Sequence, residues 1–282
     1  MTRLFLLFLF LFNFSYCQSQ ENKERLIVNN MIAACKSMRT GTFILKSTER
    51  LRDGQLHKSE ILVKQQTHPR NLYLYCIYPN PGAEALWREN LMEEKMLINP
   101  NGFPYVNLKL SPYSTLIRKE THHTVHDLGF DYLMSLIGYY SNQLGPDFYS
   151  YLNILDTVTW EKRPCIRLSF DYTNYKPLDY TVKFGENITS IALKLHLNDF
   201  SILLLNPAIK NYEDVQPGQV IRIPNFYCRK IIFTIDRTNW LPLKQEVFDE
   251  SGLYEQYEFL SFVLDPVIAP IEFSPECEKY KF

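Results

Sequence analysis

The sequence predicts an α+β protein: a curved antiparallel sheet, a half-barrel with covering helices, into which a small βααβ module is inserted. Three observations lead to this fold class. Segments of period-two alternation dominate the chain, two apolar-striped segments have helical spacing, and residues 180–224 change from alternation to helical spacing and back. The 282 residues suffice for one large domain or two smaller ones.

The first residues have the pattern of a secretory signal peptide. A positive start at Arg3 precedes the apolar run Leu4–Phe12, which is too short to span a bilayer, and small residues follow. We expect a signal peptide at 1–19 and a protein secreted across the inner membrane into the periplasm, with cell-wall association as a further expectation. Lipidation of Cys17 is the alternative, and the bulky Tyr16 argues against it.

Charge and cysteine content exclude several classes of partner. Without Arg3 the mature chain has 29 basic and 31 acidic residues, so it offers no electrostatic footprint for nucleic acid. Its five cysteines, at wide and irregular spacing, include no metal-binding pair, although the predicted compartment permits disulfides. We therefore predict no metal, no cofactor and no nucleic-acid partner, and the sequence leaves the disulfide pattern open.

Two helices are predicted in the half-barrel. The first spans Glu21–Arg39 and carries a partly apolar stripe. The second begins near Thr124, with Asp127 at capping-box spacing, and has the apolar body Phe130–Gln143. Helices on the concave side of a strongly curved sheet are the economical packing for this pattern.

The sheet is predicted to contain about ten strands. The eleven candidate segments are 43–49, 56–66, 71–78, 83–89, 93–98, 105–110, 152–161, 165–172, 227–236, 243–249 and 253–263. The segment Leu72–Ile77 is apolar on both faces, which suits a central strand covered on each side. That pattern fits an ordinary packed core and a lipid-holding cavity equally well.

Residues 180–224 predict a strand, two helices and a second strand. Ile188, Ile191, Ala192 and Leu195 share one helical face, and Asn198 is placed to cap the second helix. Antiparallel pairing would bring the two ends of the module within about 5 Å of each other.

Ends that close together allow the module to interrupt a hairpin without separating the flanking strands, here 165–172 and 227–236. The predicted domain limits are thus 20–179 with 225–282 for the host, and 180–224 for the insert.

The segments Tyr180–Ala192, Leu205–Pro207 and Gly218–Pro224 resemble a lysin-motif (LysM) domain in their spacing. The resemblance implies that the partner is peptidoglycan or another glycan containing N-acetylglucosamine, and it implies a sugar groove between two loops. Backbone groups there would hydrogen-bond acetamido groups, while Ile188, Pro207 and Ile209 would supply apolar contact. The residues carried over are Phe184, Gly185, Glu186, Asn187 and Ile188 on one wall, and Asn206, Pro207, Ala208 and Ile209 on the other.

For three of these residues the alternative is structural: Gly185, Asn206 and Pro207 would only shape turns. Departures from the family pattern also occur. His196 stands between the helices where glycine is common, and a positive φ would strain it. Apolar Leu193, Phe200 and Leu204 replace solvated residues, so we expect this face to pack on the host domain or on a partner.

The host segments Gly82–Trp87, Asn99–Gly102, Leu110–Pro112, His123–Gly129 and Ile235–Asp249 resemble a family of exported bacterial proteins. That family is similar in fold to the periplasmic lipoprotein carriers of the LolA/LolB type, which are half-open barrels closed by helices around an apolar cavity. The resemblance implies a lipid or a lipoprotein acyl chain as a second ligand. A filled core without a cavity is the alternative.

The densest polar cluster is His122-His123 with His126 and Asp127, and it lacks a second set of ligands at metal-site spacing. No sequence motif of a metalloprotease, a nucleophile elbow or a serine–lysine hydrolase is present. We therefore predict no catalytic residues and a non-enzymatic, peptidoglycan-binding function. The alternatives are an enzyme of cell-wall turnover and a structural envelope scaffold.

Overall fold

The structure is a computed structural model that describes residues 23–282. The predicted signal peptide lies outside these residues.

An antiparallel sheet of eleven strands forms the body of the described chain. Its strands are β1 (Thr40–Arg50), β2 (Leu56–Gln66), β3 (Asn71–Tyr78), β4 (Glu84–Arg88), β5 (Met96–Asn99), β6 (Leu108–Leu110), β7 (Leu152–Trp160), β8 (Arg163–Asp171), β11 (Lys230–Asp236), β12 (Pro242–Asp249) and β13 (Gly252–Leu264). Their spatial order is β6-β5-β4-β3-β2-β1-β13-β12-β11-β8-β7. Most neighbours follow one another in sequence, and the β1–β13 pairing joins the two halves of the chain.

The predicted α+β half-barrel is confirmed, with small errors at its first edge. The strand predicted at 93–98 begins only at Met96, because a 3₁₀ turn occupies Met92–Glu94. The strand predicted at 105–110 begins at Leu108, because Tyr105 has a φ of 61° and cannot continue an extended strand.

Two helices cover the concave face. Helix α1 spans residues 23–37 and α2 spans Asp131–Leu144, and a 3₁₀ helix at Gly145–Tyr151 follows α2. The predicted cap at Thr124 is wrong as a helix start. The Asp127 carboxylate does accept the Thr124 N–H at 2.9 Å, but this bond closes an isolated turn, and α2 begins only at Asp131.

The C-terminal segment covers the convex face. A 3₁₀ helix at Pro270–Phe273 and the residues after it pack over β3, β4 and β5. The rings of Tyr73 and Tyr280 stack with centroids 3.8 Å apart, and the Lys281 N–H donates to Glu84 at 2.8 Å. Strand β3 is therefore covered on both faces, as its two-sided apolar pattern predicts.

The insert has its own two-stranded sheet, β9 (Pro177–Thr181) with β10 (Val220–Pro224), and two helices, α3 (Ile188–Leu195) and α4 (Asp199–Leu205). It interrupts the connection between the paired strands β8 and β11. The pairing of β8 with β11 extends toward the insert, because the Tyr172 N–H donates to the Arg229 carbonyl at 2.8 Å. Within the insert, Pro177 pairs with Pro224.

Within residues 23–282, no single helix has the length and apolar character of a membrane span. The bent pair α3 and α4 meets those criteria together, by length and composition alone.

Candidate functional sites

The first wall of the predicted sugar groove follows β9. The Phe184 ring is 95% exposed, and Gly185 beside it has a φ of 79°. The Glu186 carboxylate accepts from Lys194, Tyr180 and the Lys183 N–H at 2.8–2.9 Å. Lys194 and the Lys183 N–H together lower the pKa of Glu186 to about 2. The Glu186 carboxylate therefore stabilises the loop through contacts within the module.

Asn187 caps α3 in a reciprocal capping box: its side chain accepts from the Ser190 N–H at 2.7 Å. Its amide donates to Glu213 at 2.9 Å, and the Ile188 N–H donates to the Tyr212 carbonyl at 2.9 Å. These two bonds join the first wall to the segment that continues from the second.

The second wall follows α4. The Asn206 amide is bonded on both sides, donating to the Ile202 and Arg222 carbonyls at 2.7 Å. Pro207 and Ala208 are exposed. The guanidinium of Arg52, in the host's β1–β2 turn, donates to the Pro207 carbonyl at 3.0 Å and to the Lys210 carbonyl at 3.2 Å. The host domain therefore shapes this wall.

The predicted apolar contacts need a correction. Ile188 is 0% exposed and Ile209 is 3% exposed, because both side chains fill the module's core. They can present only backbone groups to a ligand. Among the nine predicted residues, the side chains of Phe184, Pro207 and Ala208 are the ones exposed at the groove.

The module is fixed to the host by an almost fully buried arginine. Arg118 donates to Thr189 at 2.9 Å and forms an ion pair with Asp199. Its guanidinium also lies 3.5 Å from the centre of the Tyr212 ring. One host side chain thus holds the starts of α3 and α4 and the groove-side segment together.

The predicted packing of the module's apolar face is confirmed for Phe200 and not for Leu193. Phe200 is 4% exposed and stacks on the His122 ring at 4.4 Å, whose other face meets Tyr254 at 4.3 Å. Leu204 packs partly buried against the same core, whereas Leu193 is 58% exposed.

His196 adopts the left-handed conformation expected at its position, with a φ of 53°. Two host tyrosines offset the strain. The Tyr139 ring stacks on the imidazole at 3.9 Å, and the Tyr140 hydroxyl donates to the His196 carbonyl at 3.0 Å. The departure from glycine therefore serves attachment to helix α2.

The host contains a cavity of about 280 Å³ between α1, α2 and the concave face of the sheet. Most of its lining is apolar, and the apolar residues include Met31, Leu133, Ile137, Leu45, Phe259 and Phe233. Apolar cavities of about 150 Å³ accept guests the size of benzene, so this space admits a longer apolar group. The structure therefore favours a cavity over a filled core.

A band of polar side chains crosses this apolar face. The strand register aligns Ser59, Ser47, Tyr257 and Gln245 on β2, β1, β13 and β12. Two residues further along the strands, Glu49 and Glu255 lie opposite each other. We call these six residues the polar band, and all of them line the cavity.

Histidines from the loop before α2 meet the polar band. Glu255 is 1% exposed, and its carboxylate lies 3.0 Å from His122 Nδ1 and 3.3 Å from His123 Nε2. The Tyr227 hydroxyl donates to Glu255 at 2.7 Å, and the Tyr257 hydroxyl donates to Glu49 at 2.5 Å. The two carboxylates thus have partners from three separate segments: the loop before α2, the segment before β11, and β13.

Opposite charges decide the ionisation of this cluster. Burial acts to lower the pKa of His123, but the carboxylates of Glu255 and Asp127 outweigh it and hold that pKa well above its usual value. Burial acts to raise the pKa of Glu255, and the two histidines outweigh it and keep that pKa below its usual value. His123 and Glu255 therefore form a buried ion pair.

Sequence analysis found the histidines of this cluster but missed their partners. Glu49 lies on β1, whereas Gln245, Glu255 and Tyr257 lie on the β12–β13 hairpin near the other end of the chain, so no spacing could group them with Glu49 or with the histidines. A polar residue at a concave-facing position of an apolar strand was the one available signal. Within residues 23–282, no group of three or more His, Cys, Asp or Glu residues is arranged to hold a metal, and the five cysteines there are free thiols.

Comparison with known families now identifies the chain's class. It belongs to the family described as "Protein of unknown function (DUF1571)", whose model matches residues 39–185. A LysM domain matches residues 180–224, which confirms the predicted resemblance to that domain. The motif at 235–249 lies outside both matches. A search of curated proteins found no matching sequence.

Solved structures similar to this chain include lipoprotein-carrier-like folds. MucB matches with a TM-score of 0.44 at 12% identity over 89% of this chain and 62% of its own, so this chain spans less than two thirds of MucB. The Mycobacterium tuberculosis lipoprotein LppX matches with a TM-score of 0.41 at 10% identity, over 88% of this chain and 98% of LppX. A LolA superfamily protein from Nitrosomonas europaea matches with a TM-score of 0.33 at 9% identity, over 88% and 96%.

Proposed function

We propose that this is a non-enzymatic protein of the bacterial cell envelope that binds peptidoglycan glycan strands through its LysM module. The observation that carries the proposal is the match of residues 180–224 to a LysM domain together with the exposure of Phe184, Pro207 and Ala208 at the two loops. The glycan would contact these three side chains and the backbone groups of Gly185 to Ile188 and of Asn206 to Ile209. The predicted signal peptide supports a periplasmic site of action.

We further propose that the host cavity receives an acyl chain of a lipid or lipoprotein. The support is the cavity of about 280 Å³ and the apolar side chains that line most of it. Ligand sites of this kind are mostly apolar, with a few placed polar groups. The polar band supplies those groups here.

Binding to purified peptidoglycan sacculi tests the glycan proposal. Deleting the module is unsuitable, because Phe200 and the Arg118–Asp199 pair connect it to the host core. We instead use Ala208→Arg, which places a long, charged side chain on the exposed second wall. The matched control is Leu193→Arg, which adds the same charge at the far end of α3 where the side chain is already exposed.

We expect Ala208→Arg to reduce sedimentation with sacculi at least about tenfold, since a bulky charge in a sugar groove blocks contact. Leu193→Arg should sediment as the wild type does. Equal sedimentation of both variants would refute glycan binding at the predicted groove. Release of soluble muropeptides by the wild type would instead favour the enzyme alternative.

A further inference from the structure

The charged side chains that line the host cavity are mostly acidic. Glu49, Asp127 and Glu255 line it, and His123 is the one basic residue among its lining residues in the described part of the chain. No lysine or arginine of residues 23–282 lines this space. The cavity therefore combines an apolar lining with a surplus of negative charge.

The histidines account for two of the three carboxylates. His123 lies 3.3 Å from Glu255 and 3.5 Å from Asp127, and His122 lies 3.0 Å from Glu255. Even when both histidines are counted as cations, Glu255 and Asp127 are the groups they pair with. The carboxylate that remains is that of Glu49.

Glu49 is 4% exposed, and the groups that donate to it are uncharged. They are the Tyr257 hydroxyl at 2.5 Å and the His122 backbone N–H at 3.3 Å. Across residues 23–282, no lysine, arginine or histidine side chain forms an ion pair with this carboxylate. Burying a carboxylate without a cation is unfavourable, because neutral donors replace its hydration only in part. A cation that enters the cavity would supply the missing partner.

Polarity changes in steps along the concave face of the sheet. Glu49, Ser47 and Leu45 occupy alternate positions of β1, and all three line the cavity. Glu49 and Leu45 are separated by about 13 Å, which is four residues of extended chain. The register carries the steps onto β2 and β13, where Ser47 pairs with Ser59 and Tyr257, and Leu45 pairs with Ile61 and Phe259. This order of charged, polar and apolar side chains matches an amphiphile with a charged head.

We infer that the cavity binds an amphiphile in which an alkyl or acyl chain carries an ammonium group, and that Glu49 is the contact for the ammonium. This inference rests on the proposed acyl-chain function of the cavity and specifies the head group of its ligand. An ammonium has three N–H donors, and a carboxylate accepts several hydrogen bonds at once. Glu49 can therefore accept from the ligand while it keeps its bonds from Tyr257 and His122.

The same charges disfavour an anionic head group. A free fatty acid would bring a fourth carboxylate beside Glu49, Asp127 and Glu255. Repulsion and lost hydration would both weaken its binding. An uncharged alcohol avoids the repulsion but leaves Glu49 without a cation, so its affinity should be intermediate.

Calorimetric titration of the mature protein with decylamine, decanol and decanoate tests this order. At about pH 7 the amine is protonated and the acid is ionised. We expect decylamine to bind at least about tenfold more tightly than decanol, as a hydrogen bond between charged groups gives. Decanoate should bind more weakly than decanol.

Glu49→Gln keeps the shape of the side chain and removes its charge. It should lower the affinity for decylamine at least about tenfold, leave that for decanol unchanged and raise that for decanoate. The matched control is Glu60→Gln, on the convex face of β2, where Glu60 pairs with Lys46. This control should alter none of the three affinities.

An amine lipid and a peptide acylated beside a free amino terminus share this ligand chemistry. A short peptide that begins with S-decylcysteine, with its amino terminus free or acetylated, distinguishes the two sources. Loss of about tenfold in affinity on acetylation would assign the site to acylated peptides. Weak binding of both forms, beside tight binding of decylamine, would assign it to an amine lipid.

The outcomes separate this inference from the proposed function. Failure of all three decyl probes to bind the wild type would overturn the acyl-chain proposal itself. Decanol or decanoate binding as tightly as decylamine, or a decylamine advantage that survives Glu49→Gln, would overturn only the role of Glu49. Urea unfolding without ligand gives a second check, because Glu49→Gln removes a buried charge and should be at least as stable as the wild type. A strongly lowered midpoint would mean that the protein itself already pairs this carboxylate.

Discussion

The groove of the LysM module and the cavity of the host are built in opposite ways. At the groove, Glu186, Asn187 and Asn206 hydrogen-bond within the module, so its polar side chains hold the loops and leave backbone groups outward. In the cavity, the polar band brings side chains of β1 and β2 together with side chains of β12 and β13 on an apolar face. A local motif thus defines the first site, and strand register defines the second.

The two sites are also joined. His122 belongs to the cluster at Glu255 and stacks on Phe200 of the module, and Tyr140 lines the cavity and donates to His196. The module is therefore seated on the wall of the cavity. Mutations at this attachment are expected to have the largest effect on stability.

The largest expected effect separates two phenylalanines of the module. Phe200→Asp should lower the free energy of unfolding by at least about 4 kcal/mol, because it removes a buried ring and leaves a charge against His122. Phe184→Asp, at an exposed ring, should change it by less than about 0.5 kcal/mol. Urea denaturation of both variants measures the contrast. Similar midpoints for the two would contradict the docked arrangement.

The second effect concerns the buried ion pair and its dependence on pH. Folding raises the pKa of His123 from its ordinary 6.5, so its contribution to stability is complete below pH 6.5 and is lost as the pH rises through the raised value. Folding lowers the pKa of Glu255 from its ordinary 4.5, so its contribution is present above pH 4.5 and is lost as the pH falls through the lowered value. Both contributions are present together between these two pH values.

His123→Gln should therefore destabilise the protein by about 3 kcal/mol near pH 6, as expected when one partner of a buried pair is removed. The difference from the wild type should shrink as the pH rises well above 6.5, because wild-type His123 then loses its proton. Thermal unfolding at a series of pH values gives both quantities. A difference that stays constant from pH 6 upward would mean that the pair is not charged.

Sequence reasoning recovered the regular parts of both regions. Strands β2 and β3 have the predicted limits, since turn residues bound both of them. The cap at Asn198 was also predicted, because one residue type at a helix start determines it. The error at Thr124 arose because its bond to Asp127 has capping-box spacing in a turn that does not continue as a helix.

The sequence predicted the residues of the module better than those of the cavity, because a local motif defines the module and long-range contacts define the cavity. LysM spacing predicted which residues form the groove, but it could not tell that the side chains of Ile188 and Ile209 are buried in the core. The partnership of Glu255 with His122 and His123 depends on a contact between residues more than a hundred positions apart. Such contacts follow from the register of the whole sheet, and no local pattern encodes them.

The smallest expected effect concerns Arg52, the host residue that donates to the second wall of the predicted groove. Arg52→Ala should weaken binding to sacculi by about threefold, because the Pro207 and Lys210 carbonyls lose a charged donor that fixes their loop. Stability should change by less than about 1 kcal/mol, since Arg52 is exposed. Arg52→Lys should restore only part of the affinity, because an ammonium reaches one carbonyl more readily than two. An unchanged affinity in Arg52→Ala would show that Arg52 does not contribute to glycan binding.

The most direct test of the account loads the protein with a fluorescently labelled lipid and sediments it with purified sacculi. The account predicts that the label sediments with the wild type and with Leu193→Arg, and that it stays in the supernatant with Ala208→Arg while remaining bound to that protein. Label that sediments equally with Ala208→Arg, or that separates from the wild type as the glycan is bound, would contradict the claim that one chain holds both ligands.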